Sequence, residues 1–416
     1  MVLMAKDTLF IQFYTHWKNH GINSLFYDGD KYIDLDNKNF QISTILSNGF
    51  SSCYSKCKDK GDFFWVRYDL YNTIDKIIEK NKNLDLPINK GKVYISAYFN
   101  VHLYQAYLWA KKYPNISFIV GGPAADFKKI YKKLPNNLTI TLESIDKLFG
   151  EKGGNWGVDF PEDVSQEVLW GFPVDRNCYW GKCIFCNYGT REQNIDVKFD
   201  FIDSIPKRKK NIAFLYTPSA SPEFVEQVLP KIKTREDLEI SFFIRGSNDM
   251  YQALLKTFDT FKLTNLALAP GIDFPSNRML KWLNKGTTTD SILKTLELIH
   301  SNNCRIYSQV LLGFNNLKAK DVNDAEKFFK RFYNNTEGKA KIKIHNLVCK
   351  INTPIYDLFV PDKPFQLGPF YFGFLPKISK EQTKLNNMVR DLIYESKFFQ
   401  INDLYSNHNI KNYEFC

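Results

Sequence analysis

Three of the chain's eight cysteines, Cys178, Cys183 and Cys186, fall within nine positions of the stretch RNCYWGKCIFCNYG. Thiols crowded in this way can bind a metal, pair as a disulfide, hold an iron–sulfur cluster, or stand together by coincidence. A structural zinc site closes with four ligands, commonly two CxxC-like pairs or one pair with histidines. No histidine lies in this window, and His300 and His345 are far along the chain. The start, MVLMAKDTLFIQFY, lacks the pattern of a secretory signal, and no apolar run approaches the roughly 20 residues that span a bilayer. A cytoplasmic location with reduced thiols and no membrane partner is therefore expected, which disfavours the disulfide. Three thiolates on one loop suit a [4Fe–4S] cluster whose fourth iron stays open to an exogenous ligand.

Such a loop needs rigid elements to hold it. Residues 92–123 predict a strand (KVYISAYF), an amphipathic helix (LYQAYLWAKKY) and a buried strand (ISFIVGGP). This βαβ unit implies a parallel sheet. The first 90 residues give only short, aromatic-rich signals, and the Gly-rich GEKGGNWG (150–157) predicts a boundary. Beyond the cysteines the strands NIAFLY, LEISFFI, LTNLALAP, RIYSQVLLGF and KIKIHNLV alternate with helical stretches such as SPEFVEQVLPKI and DVNDAEKFFKRFY. With a strand in VLWGFPVDR just before Cys178, this makes about six βα units, most of a parallel barrel, whose sites sit at the C-terminal strand ends. ISKEQTKLNNMVRDLIYESKFF reads as a helix covering that barrel. The predicted division is an α/β domain at 1–150, a barrel at 165–360 and a C-terminal helical extension at 361–416.

With 416 residues, 44% hydrophobic and 24% charged, the chain fits an ordinary globular protein large enough for several cores. Its net charge of +11 comes from short lysine clusters (FKKIYKKL, PKRKKN) rather than one stripe. That favours a solvated basic surface over a nucleic-acid groove, and leaves attraction of an acidic peptide open.

CYWGKCIFC, placed after a first strand, resembles the CxxxCxxC signature of the radical SAM superfamily, with one extra residue in the first gap. The resemblance continues in GIDFPSNRMLKWLNKGTT (271–288), with Asp273 where Glu is usual, in QVLLGFNN (309–316), which keeps Gly313, and in CKINTPIYD (349–357). It implies a partial (β/α)6 TIM-like radical SAM barrel with Cys178, Cys183 and Cys186 on a [4Fe–4S] cluster. It also implies S-adenosylmethionine as cofactor, a flavodoxin- or ferredoxin-type electron donor, and a 5′-deoxyadenosyl radical that takes hydrogen from the substrate. By the same resemblance Phe185 lies near the adenine, and Thr217, Ser219 and Ser221 stand where the methionyl amino group is received. Arg245 is placed to pair with the methionyl carboxylate.

The stretch VYISAYFNVHLYQAYLWAKKYPNISFIVGGPAAD resembles the last βαβ of the cobalamin-binding domain that precedes the barrel in one branch of this superfamily. The earlier residues lack its Gly-rich turns and an Asp-x-His-x-x-Gly, so the domain reads as cobalamin-binding-like and degenerate. With cobalamin, a C-methyltransferase is implied. Without it, an epimerase is implied, with a protein thiol as hydrogen donor: Cys349 first, Cys416 second, while Cys304 opens the fifth strand. Cys53 and Cys57 alone do not make a metal site, and the tail has no further cysteine cluster, so one cluster per chain is expected. The substrate expected is a ribosomal precursor peptide. The alternatives are a small natural-product or lipid intermediate, or a non-catalytic iron–sulfur or zinc module that recruits nucleic acid.

Overall fold

The computed structural model describes residues 7–17, 27–28, 31–32, 43–46, 57, 59–70, 74–97, 100–126, 129–143, 145–149, 168–173, 178–187, 211–216, 219–232, 235, 238–258, 266–395 and 400–403. Strand β1 (Thr8–Trp17) alternates apolar residues to both sides: Leu9, Ile11 and Phe13 enter one core and Phe10 another. A strand buried on both faces belongs in the middle of a parallel sheet. Strands β2 (Tyr27–Asp28) and β3 (Lys31–Tyr32) make a small antiparallel pair, and β4 (Ser43–Leu46) joins a different sheet. With β5 (Asp62–Leu70), β6 (Gly91–Ser96), β7 (Ile116–Gly121) and β9 (Leu138–Ile140), β1 forms a parallel sheet in the order β5-β1-β6-β7-β9. Helix Asn100–Lys112 packs Val101, Leu103, Ala106 and Trp109 into its core, and the buried Trp109 indole donates to Leu84 O at 2.7 Å.

The second sheet begins with β10 (Val168–Pro173) and β11 (Asn211–Tyr216). It continues with β12 (Leu238–Arg245), β13 (Leu266–Asp273), β14 (Arg305–Leu312) and β15 (Ala340–Asn346). All its pairs are parallel, and its edges are β4 on one side and β19 (Gln400–Asp403) on the other. Ile240, Phe242, Leu268, Ile306, Val310, Ile342 and Ile344 face the helices and share one core with Val225, Leu254, Leu296 and Phe329. The loop after β10 meets the segments after β13 and β15: Ile184 N donates to Leu283 O at 3.1 Å, and Ile355 N donates to Ile184 O at 2.9 Å. Strands β10 and β15 are five places apart, about 24 Å on a flat sheet. Those contacts therefore require the sheet to curl, bringing its C-terminal edge around on itself.

A third sheet ties the two units together. β16 (Cys349–Lys350), β17 (Pro361–Leu367) and β18 (Phe370–Pro376) are antiparallel, and β18 also pairs β8 (Lys129–Ile130) through Phe370↔Ile130. Phe365, Leu367, Phe370 and Phe372 complete the core of the first unit. The structure thus departs from the predicted division in two places. A strand from the first 150 residues edges the second sheet, and 361–416 holds a hairpin and an edge strand beside its helix, Lys380–Glu395. The hairpin escaped notice because FYFGFLP is apolar on both faces, which erases the alternation that marks a half-buried strand.

Candidate functional site at a three-cysteine loop

The described loop, residues 178–187, leaves the C-terminal edge of β10 and is docked on the turn that follows helix Asn277–Trp282. Trp180 Nε1 donates to Asn284 O at 2.7 Å, and Asn284 Nδ2 donates back to Lys182 O at 2.9 Å. Within the longer first gap, YWGK, Gly181 turns the chain with φ +62°. Gly286 lies directly under the indole with φ +67°, and a Cβ there would stand 2.2 Å from Trp180 Cζ2. Only glycine combines that backbone with that approach.

Arg245, at the end of β12, is 3% exposed and braces this docking. Its Nη2 donates to Lys285 O and Gly286 O, each at 2.8 Å, and its guanidinium lies 4.1 Å from the Trp180 ring centroid and 5.2 Å from that of Tyr179. The resemblance placed this arginine on a carboxylate; here Nη2 is occupied by backbone carbonyls. Behind the loop, Lys285 and Asp273 form a buried ion pair, and Gly271 leaves room for the ammonium. Burial pushes the Cys183 thiol up to about 12; Lys285 opposes this, while Asp273, Cys186 and Cys178 add to it. Burial works against the charged Lys285, but Asp273 and Cys183 outweigh it and raise its pKa.

Cys183 thus neighbours both Cys178 and Cys186, beside one buried ammonium. Among the described residues no trio of His, Cys, Asp or Glu converges tightly enough for a single metal ion. Thiolates of a cuboidal cluster bind separate irons and stand wider apart, so the donor set fits a [4Fe–4S] cluster better than zinc. Cys57, Cys304 and Cys349 are buried elsewhere. Cys304 precedes β14, at the sheet edge opposite the loop, and burial pushes it up to about 12. Cys349 has no exposed surface, packs in the helix-facing core, and is pushed up to about 12 by burial.

The remaining sequence candidates divide. Phe185 is half-buried against the main core, and the buried Ser219 hydroxyl has no hydrogen-bond partner among the described residues. Ser221 accepts from Phe224 N at 3.1 Å and so caps helix Pro222–Ile232. Gly313, with φ +98°, donates its N–H to Asn386 Oδ1 at 2.8 Å, which fixes the loop after β14 to helix Lys380–Glu395. Thr217 and Cys416 lie outside the described residues. Sequence reasoning missed Trp180, Asn284, Lys285, Gly286 and Asn386. The first four sit inside quoted motifs, and the Asn-Lys-Gly after a helix end is a turn signal. Asn386 was detectable as a polar residue in an apolar helical stripe.

In the first unit, Ala97, Gly121 and Gly122 leave the C-terminal ends of β6 and β7 with small or no side chains. A Cβ on Gly122 (φ +95°) would meet Ala97 O at 2.8 Å. His102 is not at this edge: it is buried, stacked on Phe13 at 4.4 Å, and pushed down to about 3 by burial. No helix among the described residues is long and apolar enough to cross a membrane.

No family model matches the sequence. No curated protein matches it either. Solved structures do match. The cobalamin-dependent S-adenosylmethionine radical enzyme OxsB, with aqua-cobalamin bound, superposes with a TM-score of 0.55 at 13% identity over 92% of this chain and 66% of that one. This chain therefore spans just under two thirds of OxsB. The radical S-adenosylmethionine methyltransferase TsrM from Kitasatospora setae, with cobalamin and a [4Fe–4S] cluster bound, gives 0.53 at 8% identity over 98% of this chain and 93% of that one. At such identities the likeness is one of fold, and the fold of this chain is that of the cobalamin-dependent radical SAM enzymes.

Proposed function

We propose that the chain is a radical SAM enzyme that modifies a carbon centre, and that its reaction is cobalamin-dependent methylation. One observation carries the reading: three neighbouring thiols on a loop clamped at the C-terminal edge of a curled parallel sheet, beside a buried Lys285–Asp273 pair. In this reading the curled sheet is a partial barrel. Cys178, Cys183 and Cys186 hold a [4Fe–4S] cluster, which when bound supplies the electron that cleaves S-adenosylmethionine. The chain's own residues orient and enclose. Trp180, Asn284 and Arg245 keep the loop in place, and Lys285 sets positive charge beside thiolates that would otherwise repel each other. Phe185 and the Ser219 hydroxyl are the described groups offered to S-adenosylmethionine. Cobalamin, which serves as a methyl carrier, would be held at the ends of β6 and β7, where Ala97, Gly121 and Gly122 carry small or no side chains. That OxsB and TsrM were both solved with cobalamin supports this choice. The full burial of Cys349 supports methylation over epimerisation, because a hydrogen donor has to reach the substrate. A ribosomal precursor peptide or a small molecule is the proposed substrate, with a flavodoxin- or ferredoxin-type electron donor.

Anaerobic reconstitution should load about four iron and four sulfide per chain, and Cys183→Ala should abolish loading. Binding of zinc instead, with no 5′-deoxyadenosine formed from S-adenosylmethionine and reductant, would defeat the reading. Cobalamin retained on purification, with transfer of labelled methyl to product, would support methylation, and uptake of solvent deuterium into product would support epimerisation.

A further inference from the structure

Leu358 and Val360 are 58% and 63% exposed, although Ile355 and Phe359 on the same segment are buried. Phe359 anchors the segment by meeting the Trp282 ring edge-on, with 6.0 Å between centroids, and the residues on either side of it stay in water. Two exposed aliphatic side chains need no explanation by themselves. What sets these apart is their place. The 3₁₀ turn Pro354–Asp357 just before them is bonded to the cysteine loop, where Ile355 N donates to Ile184 O at 2.9 Å. Leu358 N donates back to Ile355 O at 3.2 Å, so Leu358 is three residues from a group bonded to the neighbour of Cys183. On its other side the loop meets the end of helix Asn277–Trp282, through Ile184 N to Leu283 O at 3.1 Å and Asn284 Nδ2 to Lys182 O at 2.9 Å. The cysteine loop is therefore held between two segments that the Trp282–Phe359 contact joins.

The solvent side of this junction is basic. Lys182 is exposed, with Nζ 4.9 Å from the Trp180 ring centroid, and Lys281 is exposed in the last turn of the helix. Lys377 is exposed as well, and its N–H donates to Val360 O at 2.8 Å. None of the three is joined to a carboxylate among the described residues. Asp357 and Asp362, on the apolar segment, are exposed and form no ion pair with them. The three cysteines are part-exposed rather than buried. Consecutive Cα atoms are 3.8 Å apart, so the stretch from Ile355 to Leu358 spans at most about 11 Å. A protein seated on Leu358 and Val360 thus comes close to the thiols from outside the sheet.

We infer that Leu358 and Val360, with Lys182, Lys281 and Lys377 around them, form the docking surface for a small acidic electron-transfer protein that carries a flavin. This inference rests on the function proposed above, which needs an electron delivered to the cysteine loop. The dimethylbenzene edge of a flavin is apolar and suits two aliphatic side chains, while an acidic rim suits three unpaired ammonium groups. In the step served, one electron leaves the flavin hydroquinone, which becomes the semiquinone, and passes to a cluster on the loop; no atom is transferred. Calorimetric titration of the iron-loaded full chain with oxidised flavodoxin tests the surface. Binding should weaken as salt is raised. Leu358→Glu and Val360→Glu should each weaken it about tenfold or more, and Lys281→Glu should weaken it and flatten its salt dependence. Lys294→Glu, at an exposed position of helix Thr289–Ser301, should leave it unchanged. Dithionite, which needs no docking, should bleach the cluster absorption equally in every variant. Wild-type affinity in both Leu358→Glu and Val360→Glu overturns the inference. So does tighter binding of a plant-type ferredoxin, or displacement of flavodoxin by an equal concentration of a poly-glutamate peptide, which would assign the surface to an acidic peptide. No flavodoxin binding by a chain that loads iron and forms 5′-deoxyadenosine with dithionite overturns the surface alone. Binding that depends on Leu358 in chains that load no iron supports the surface while counting against the proposed function.

Discussion

Gly286→Ala is the most direct test of how the cysteine loop is held. The new Cβ would stand 2.2 Å from Trp180 Cζ2, 2.5 Å from Cη2 and 2.7 Å from Arg245 Nη2. Carbon contacts relax at about 3.5 Å, so the indole must retreat by about 1 Å or more. Neither it nor the guanidinium is at liberty to do so, because Trp180 Nε1 is bonded to Asn284 O and Arg245 Nη2 to two carbonyls. Overpacking of this kind costs about 1–3 kcal/mol. The left-handed backbone, φ +67°, adds about 1 kcal/mol for a residue with a Cβ. Urea denaturation should therefore show a loss of about 2–4 kcal/mol. The loop carries Cys183 three residues beyond Trp180, so iron loading should fall as well. The same substitution in a Trp180→Ala background separates the two contributions. The backbone strain and the approach to Arg245 Nη2 should remain, leaving a coupling of about 1–2 kcal/mol between the sites. Equal costs in both backgrounds would refute the docking of Trp180 on Gly286.

Three further outcomes follow from other contacts. Asn386→Leu strands the N–H groups of Gly313 and Phe314 and the carbonyl of Phe314, so denaturation should register a loss of about 2–4 kcal/mol. Asp273→Asn leaves the Lys285 ammonium buried without its carboxylate and should cost about 3–5 kcal/mol, more than Asp273 and Lys285 replaced together by apolar residues. Burial, then Arg305, depresses Lys341 to about 8, whereas an unfolded lysine titrates near ~10.4. Between these values the unfolded chain holds more protons, so wild-type stability should rise with pH from about 8 to about 10.4, and Lys341→Met should lose that rise.

How far the sequence could be read depended on which faces each element buries. NIAFLY matched β11 residue for residue, and the strand at 305–312 and the helix at 289–301 were placed within a residue or two at each end, because helix-covered parallel strands and amphipathic helices keep their periodicity. The strand Phe370–Pro376 did not, because its residues are buried on both faces. At the candidate site, the gathering of three cysteines on one loop was legible from type and spacing. Their supports were not: nothing local announces that Gly286 will lie under Trp180, more than a hundred residues earlier, or that Arg245 will spend its Nη2 on backbone carbonyls. Ser221 shows the converse, since a hydroxyl beside a proline at a helix start caps that helix whatever else it is near.

The pairing of Phe370 with Ile130 closes a loop of 240 residues, and it bears on how this protein is made. The strands of the first unit lie between residues 8 and 140, yet Phe365, Leu367, Phe370 and Phe372 of its core are synthesised more than 200 residues later. Until they arrive, one face of that unit is an incomplete hydrophobic surface, and the second sheet likewise waits for β19. Non-local closure of this kind slows folding and prolongs exposure to aggregation. The first unit therefore does not fold as an independent early piece, because its core closes only when the hairpin 361–376 arrives.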